Sequence, residues 1–310
     1  MLRFIAAAAL LGASAAHAAP APEKTAAVKK RGKAPRVLPG EAVEFQTSDG
    51  WTLSGKYLTA KEDQPTFVLL HEARGRRQNW YWLARKMASK GIGYLALDLR
   101  GHGLSQHPPE GKEGSWRKFR STKQDNDWEE IREDLKAAIE FLESNGVPSA
   151  TIGLGGADVG GSIALKYAAL NPQIELVFLL SPGFSYSEVL TVNAMRAYKN
   201  RPILMVVADD DRRSSTETPI LFEFAKRAAG TENARLIRVA KGHGTRMLYY
   251  NKGVTDQIVE WIEDPVVAPE IDVSSAGLDG LSPGYLGEDE ESDSDGFDTT
   301  ADPLAAPTTN

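Results

Sequence analysis

Asp158 stands at the centre of Gly156-Ala157-Asp158-Val159-Gly160, a G-x-nucleophile-x-G pattern whose central residue is a carboxylate. The apolar run 150–154 precedes it and a helix-forming stretch from Ser162 to Leu170 follows, so the segment reads as strand, tight turn and helix. The glycines have a steric reason. The central residue of such a turn is held in a strained backbone conformation, and a Cβ beside it would collide with the neighbouring elements. A hydroxyl at this point attacks a carbonyl and leaves an acyl ester that water later cleaves. A carboxylate attacking the same carbonyl would form a mixed anhydride, a high-energy species, so ordinary ester or amide cleavage by that route is disfavoured. At sp³ carbon a carboxylate does work as a nucleophile, displacing halide or opening an epoxide through an alkyl ester.

Two further groups complete a possible acid–base set. His243 lies in Lys241-Gly242-His243-Gly244-Thr245, where the flanking glycines let a loop carry the imidazole over a sheet edge. Asp211 follows the apolar run 203–207, with Asp209 and Asp210 directly before it as competing choices. Ser162 offers an alternative nucleophile register, but it falls four residues beyond the turn, already on the helix, and reads as a packing residue. Two carboxylates and one imidazole also resemble a facial metal triad, although an Asp211–His243 hydrogen bond competes with it. No metal and no cofactor are expected.

The elements that must position these groups alternate along the chain. Val43–Gln46 and Thr52–Tyr57, joined through Ser48-Asp49-Gly50, read as an antiparallel hairpin. Apolar runs at 66–70, 93–97, 150–154, 176–180, 203–207 and 235–239 read as buried strands. Helical spacing covers 80–90, 127–145, the stretch after Asp158, 216–229 and 255–262. In 127–145 the stripe Trp128, Ile131, Leu135, Ala138, Ile139 and Leu142 faces a core, Asp127 is a candidate N-cap with Glu130 reaching back, and Gly146 ends the helix. Apolar strands alternating with helices imply an α/β class with a mostly parallel central sheet covered on both faces.

On these elements the chain resembles the α/β-hydrolase superfamily. The resemblance rests on Leu69-Leu70-His71 with Arg74-Gly75, on Asp98-Leu99-Arg100-Gly101-His102-Gly103-Leu104-Ser105, and on the turn at Asp158. Leu179-Leu180-Ser181-Pro182-Gly183 and the late loop at His243 extend it, so that it covers nearly all of 43–262. The resemblance implies an α/β-hydrolase fold without a large cap domain, with Asp158 in the nucleophile position, Asp211 orienting His243, and His243 as the base. It also implies that His71 and His102 fix loops beside the site and that His107 is an ordinary loop residue. Glu72, Val159 and His71 mark the oxyanion and pocket region. Glu72 stands where such proteins usually have Gly, and its charge would oppose a developing oxyanion. Val159 stands where haloalkane dehalogenases place Trp, and 181–201 is too short for the tyrosine-bearing cap of epoxide hydrolases, though it holds Tyr186 and Tyr198. Two function classes remain: a hydrolase built on Asp158, His243 and Asp211, and a degenerate relative that keeps the pocket for binding.

The ends differ in composition from the body. Met1–Ala18 has Arg3, an apolar run and Ala16-His17-Ala18, the three parts of a secretory signal peptide, so export to the periplasm or medium is expected. Residues 19–40 read as a basic disordered linker, 41–264 as the α/β domain and 265–310 as an acidic disordered tail. Through Arg36 there are 7 Lys and Arg against one Glu; from Asp264 onward there are 12 Asp and Glu and no Lys or Arg; between them stand 29 charges of each sign. The expected partner is a small-molecule substrate or ligand, with no nucleic acid and no transmembrane segment. There is no cysteine, which excludes disulfides and thiolate metal sites.

Overall fold

The computed structural model describes residues 36–266. The expected signal segment, most of the expected basic linker and the expected acidic tail beyond 266 lie outside the described residues. The strands are β1 (Glu41–Gln46), β2 (Thr52–Leu58), β3 (Thr66–Leu70), β4 (Gly93–Asp98), β5 (Ile152–Ala157), β6 (Val177–Leu180), β7 (Ser185–Tyr186), β8 (Val189–Leu190), β9 (Ile203–Ala208) and β10 (Ala234–Val239). The helices are α1 (Tyr81–Lys90), α2 (Ile131–Ser144), α3 (Val159–Leu170), α4 (Val192–Ala197), α5 (Ser214–Ala229), α6 (Met247–Tyr250) and α7 (Val254–Glu263). Eight strands form one sheet in the order β1-β2-β4-β3-β5-β6-β9-β10, while β7 and β8 pair separately. β2 runs antiparallel to β1 and β4, and every other pairing in the large sheet is parallel.

Strand composition explains this arrangement. Every residue of β3, β4, β5, β6 and β9 is buried, which requires helices on both faces. One face packs the stripe of α2 (Ile131, Leu135, Ile139, Leu142) with Ile163 and Leu165 of α3 and Leu221 of α5. The other packs Leu83 and Met87 of α1 with Ile258 and Trp261 of α7 against Phe67 and Phe178. Only β1, at the edge, alternates between exposed and half-buried residues. The interval 181–201 holds the short β7–β8 hairpin and α4, with no cap domain.

Two boundaries differ from expectation. Helix α2 begins at Ile131 and has no side-chain cap, because the Asp127 carboxylate accepts instead from the backbone N–H and guanidinium of Arg120. Residues 126–132 form tight turns, with Asn126 Oδ1 accepting from Trp128 N–H. The folded body also starts before residue 41. Leu38 is buried in the core beside α1, and the Pro39 carbonyl accepts from Tyr94 Oη. Composition marks this stretch as linker, but a single apolar side chain with a core to enter is enough to anchor it.

Arg100 fastens the frame around the site. Its backbone N–H and Nε donate to Asp134 of α2 at 2.8 and 2.6 Å, and its two terminal nitrogens form a fork on Asp49 in the β1–β2 turn at 2.8 and 3.0 Å. Arg100 and Asp134 are both buried. Asp134→Ala removes one of the two carboxylates that hold the buried guanidinium and leaves the Asp49 fork, so it should lower unfolding stability in urea by about 1.5–3 kcal/mol. Asp209→Ala, which breaks the exposed pair with Arg238, should cost less than about 1 kcal/mol. Equal losses in the two variants would show that Arg100 does not hold the frame.

Candidate active site

Asp158 follows the last residue of β5 and precedes the first of α3, with φ +54° and ψ −121°. The flanking glycines are required by contact. A Cβ on Gly156 would lie 2.5 Å from the Gly160 carbonyl oxygen, and one on Gly160 would lie 2.5 Å from that of Leu70. The turn is closed by Asp158 N–H donating to Leu180 O and by Ser162 N–H donating to Asp158 O, both at 3.0 Å. Ser162 is therefore inside the first turn of α3, almost fully buried, and its Oγ reaches only the Asp158 carbonyl.

The loops after β9 and β10 bring two more groups to this point. His243 Nδ1–H donates to Asp211 Oδ2 at 2.7 Å, and Nε2 lies 3.4 Å from Asp158 Oδ2. The three successive carboxylates take separate partners. Asp209 pairs with Arg238, Asp210 accepts from Gly242 N–H at 2.7 Å, and Asp211 holds the imidazole. Ser181, with φ +50°, accepts from Gly244 N–H at 2.9 Å, so both glycines beside His243 are pinned through their backbone. Asp158 Oδ1 is buried and has no hydrogen-bond partner among the described residues.

The protonation of His243 follows from its neighbours. Burial disfavours the imidazolium, but hydrogen bonds and charges from Asp158 and Asp211 outweigh it and push the pKa up to about 10. For Asp211, burial opposes ionisation, while the His243 hydrogen bond, with help from Ser214 and Ser181, brings the carboxyl down to about 2. At neutral pH the imidazole is a cation between two acids. Hydrogen bonds to Asp158 and Asp211 thus favour the protonated ring.

The remaining pocket candidates are placed differently. His71 is fully buried, with Nδ1–H donating to Glu72 O at 2.8 Å and Nε2 accepting from Leu99 N–H at 3.1 Å, so it holds the loops after β3 and β4 and does not line the site. Burial brings its pKa down to about 4 and keeps the ring neutral. The Val159 side chain packs in the core; only its backbone N–H, at the start of α3, is among the helix donors without an intrahelical partner. The Glu72 carboxylate accepts from Asn79 Nδ2 at 2.8 Å and from Thr245 Oγ1 at 2.8 and 2.9 Å. It braces the histidine loop.

Tyr186 is the neighbour that sequence reading did not place in the site. Its ring lies 6.0 Å from that of His243, edge to face, and its hydroxyl pairs with Ser214 Oγ at 2.7 Å. Burial pushes its phenol well above the usual range. The β7–β8 hairpin delivers it there, and no local motif announces such a placement. Tyr198 is elsewhere, donating to the Pro202 carbonyl. Both His243 nitrogens face carboxylates, so neither is free for a metal, and among the described residues no cluster of three or more such side chains could hold one.

A family model described as "Serine aminopeptidase, S33" matches residues 64–209, a span that includes Asp158 and ends before Asp211 and His243. Among solved structures, the chain is similar to an esterase of Pyrococcus furiosus at 18% identity and TM-score 0.57, over 72% of this chain and 91% of the other. It is similar to an alpha/beta hydrolase from a Penicillium species at 15% identity and TM-score 0.60, over 74% and 99%. A dienelactone hydrolase from Anabaena variabilis matches at 18% identity and TM-score 0.55, over 73% and 95%. Comparison with curated proteins yields no match.

The charge state of His243 is directly measurable. Its folded pKa lies above the ordinary 6.5, so its stabilising share is complete below 6.5 and is lost as pH rises through about 10. Asp211 is depressed from 3.8, so its share is complete above 3.8 and is lost as pH falls through about 2. Histidine nitrogen chemical shifts should report an imidazolium at pH 7, and Asp158→Asn should move the titration toward neutrality. An intact protein in which His243 titrates near 6.5 would contradict the clamp.

Proposed function

We propose that this chain is an exported hydrolase of the α/β-hydrolase superfamily in which Asp158 attacks an sp³ carbon of a small organic substrate. The observation that carries this reading is the state of the Asp158 carboxylate. Its Oδ2 lies 3.4 Å from His243 Nε2, and its Oδ1 has no hydrogen-bond partner among the described residues, so the carboxylate is held in the site by the histidine alone. The strained turn keeps the group at the head of α3. Export rests on the signal-like segment Met1–Ala18.

The charges then dictate the order of events. A carboxylate oxygen of Asp158 forms a bond to the sp³ carbon and the carbon–oxygen bond of an epoxide breaks, its electron pair leaving on oxygen. The His243 imidazolium gives that alkoxide its proton. This supplies the acid that a tyrosine-bearing cap would otherwise provide, and it favours an oxygen leaving group over a halide. The product is an uncharged ester of Asp158, so one of the two negative groups that held the His243 proton is gone and the imidazole is now neutral. Water attacks the ester carbonyl and His243 takes the water proton, with Asp211 holding the ring. The tetrahedral adduct expels the alkoxide, which leaves as the alcohol with the proton of the newly formed carboxyl group. Carboxylate and imidazolium are restored, and the net reaction is epoxide plus water to diol. The Val159 N–H, at the start of α3, is the backbone donor assigned here to the oxyanion.

The test is a single turnover in ¹⁸O-water over panels of epoxides, haloalkanes and activated esters. The heavy oxygen should enter Asp158 first, because water attacks the ester carbonyl, and Asp158→Asn should reduce turnover to background. Label appearing only in the product would make Asp158 a base toward water. No turnover by wild type, and none by Asp158→Ser on an activated ester, would leave a binding protein on a hydrolase fold.

A further inference from the structure

The surface beside α1 carries a chemistry that the Asp158 site does not use. A groove of about 750 Å³ is lined by Arg36, Lys56, Arg76 and Arg246 together with Trp82 and Tyr249. A second cavity of about 520 Å³ shares Arg76 and Asn79 with it and continues to Arg74, Arg117 and Trp116. No carboxylate lines either cavity. None of these six cations has an ion-pair partner among the described residues, whereas Arg77, beside them, is paired with Asp98. The body of the chain has equal numbers of positive and negative charges, so this is segregation, not composition.

Aromatic residues fix two of the six cations, Arg36 and Arg117, in place. The Arg36 guanidinium carbon lies 5.2 Å from the Trp82 ring centre and 5.1 Å from that of Tyr249. That of Arg117 lies 4.9 Å from Trp116, which is itself stacked on the buried His102 at 5.2 Å. A guanidinium lying on a ring has lost much of its rotational freedom, yet its N–H edge still points outward as a fork for an oxyanion. A single carboxylate would leave most of six cations without a counter-charge, so the ligand that fits is multiply charged.

We propose that this band is a binding site for a ligand carrying several phosphate charges, either free in solution or presented as lipid headgroups. The proposal does not depend on the hydrolase reading. The larger groove adjoins the brace of the histidine loop, because Asn79 and Thr245, which line it, both donate to Glu72, and Thr245 stands two residues after His243.

Calorimetric titration of the full chain with pyrophosphate should show saturable binding that weakens as salt is raised. Exchanging two exposed guanidiniums together, Arg76→Gln with Arg246→Gln, should raise Kd on the order of tenfold or more, since two charge-assisted contacts to the ligand are lost. An unchanged unfolding midpoint in that variant confirms that the fold is intact. Arg238→Gln, on β10 and paired with Asp209, should leave Kd unchanged. The same variants are tested for cosedimentation with vesicles of phosphatidylglycerol in phosphatidylcholine. Pyrophosphate binding alone assigns the site to a free phosphate ligand, and vesicle binding that needs Arg76 and Arg246 assigns it to headgroups. Absence of both, or binding indifferent to the double substitution, overturns the proposal.

Discussion

Helix α3 meets the ends of β3 and β5 at backbone distance, and that contact decides where every reactive group stands. Gly156 and Gly160 leave no room for a Cβ, so the chain passes from strand to helix through a single residue, Asp158, at positive φ. A conformation of this kind costs on the order of 1–3 kcal/mol and persists only when its surroundings over-determine it. They do so here. The first residues of α3 are buried, and the turn is tied to β6 through the Leu180 carbonyl. The parallel strands all end on the same side, so the loops after β9 and β10 arrive at the same edge, where ligands of open α/β sheets bind.

A carboxylate at that turn changes more than the attacking atom. With a hydroxyl there, His243 would face one acid and could be neutral; with Asp158 it faces two and keeps its proton to about pH 10. The imidazole therefore begins as a donor and becomes an acceptor only when a charge beside it is removed. The loop that carries it is braced by Asp210 at Gly242, Ser181 at Gly244 and Glu72 at Thr245. Charged and polar side chains thus surround His243 without competing for its ring nitrogens.

Buried charge elsewhere serves the frame. Arg100 and Asp134 join the β4 loop to α2, and Asp98 accepts from the backbone N–H groups of Arg77 and Leu104 while pairing with the Arg77 guanidinium. These residues look reactive when read singly, yet each is satisfied internally. The exposed cations of the adjoining groove differ because no acid lines it.

Much of this was legible in the residues themselves. Strand positions follow from apolar runs, the sharp turn from glycine spacing, and the arrangement of elements from their alternation, because each depends on local sterics and burial. Even locally there were limits. Asp127 has the character of a helix cap, but Arg120 claims its carboxylate, and Leu38 joins the core from a stretch that composition marks as linker. By itself the sequence determined the class of fold, the carboxylate at the elbow and the histidine loop that would meet it. Tertiary structure alone decided that Tyr186 lies beside the ring and that Glu72 turns toward Thr245, 173 residues away in the chain. It also decided that His243 meets two carboxylates, which raise its pKa. Hydrogen bonds and charge states depend on distances between segments that are remote in sequence, and those distances exist only once the sheet has gathered its loops at one edge.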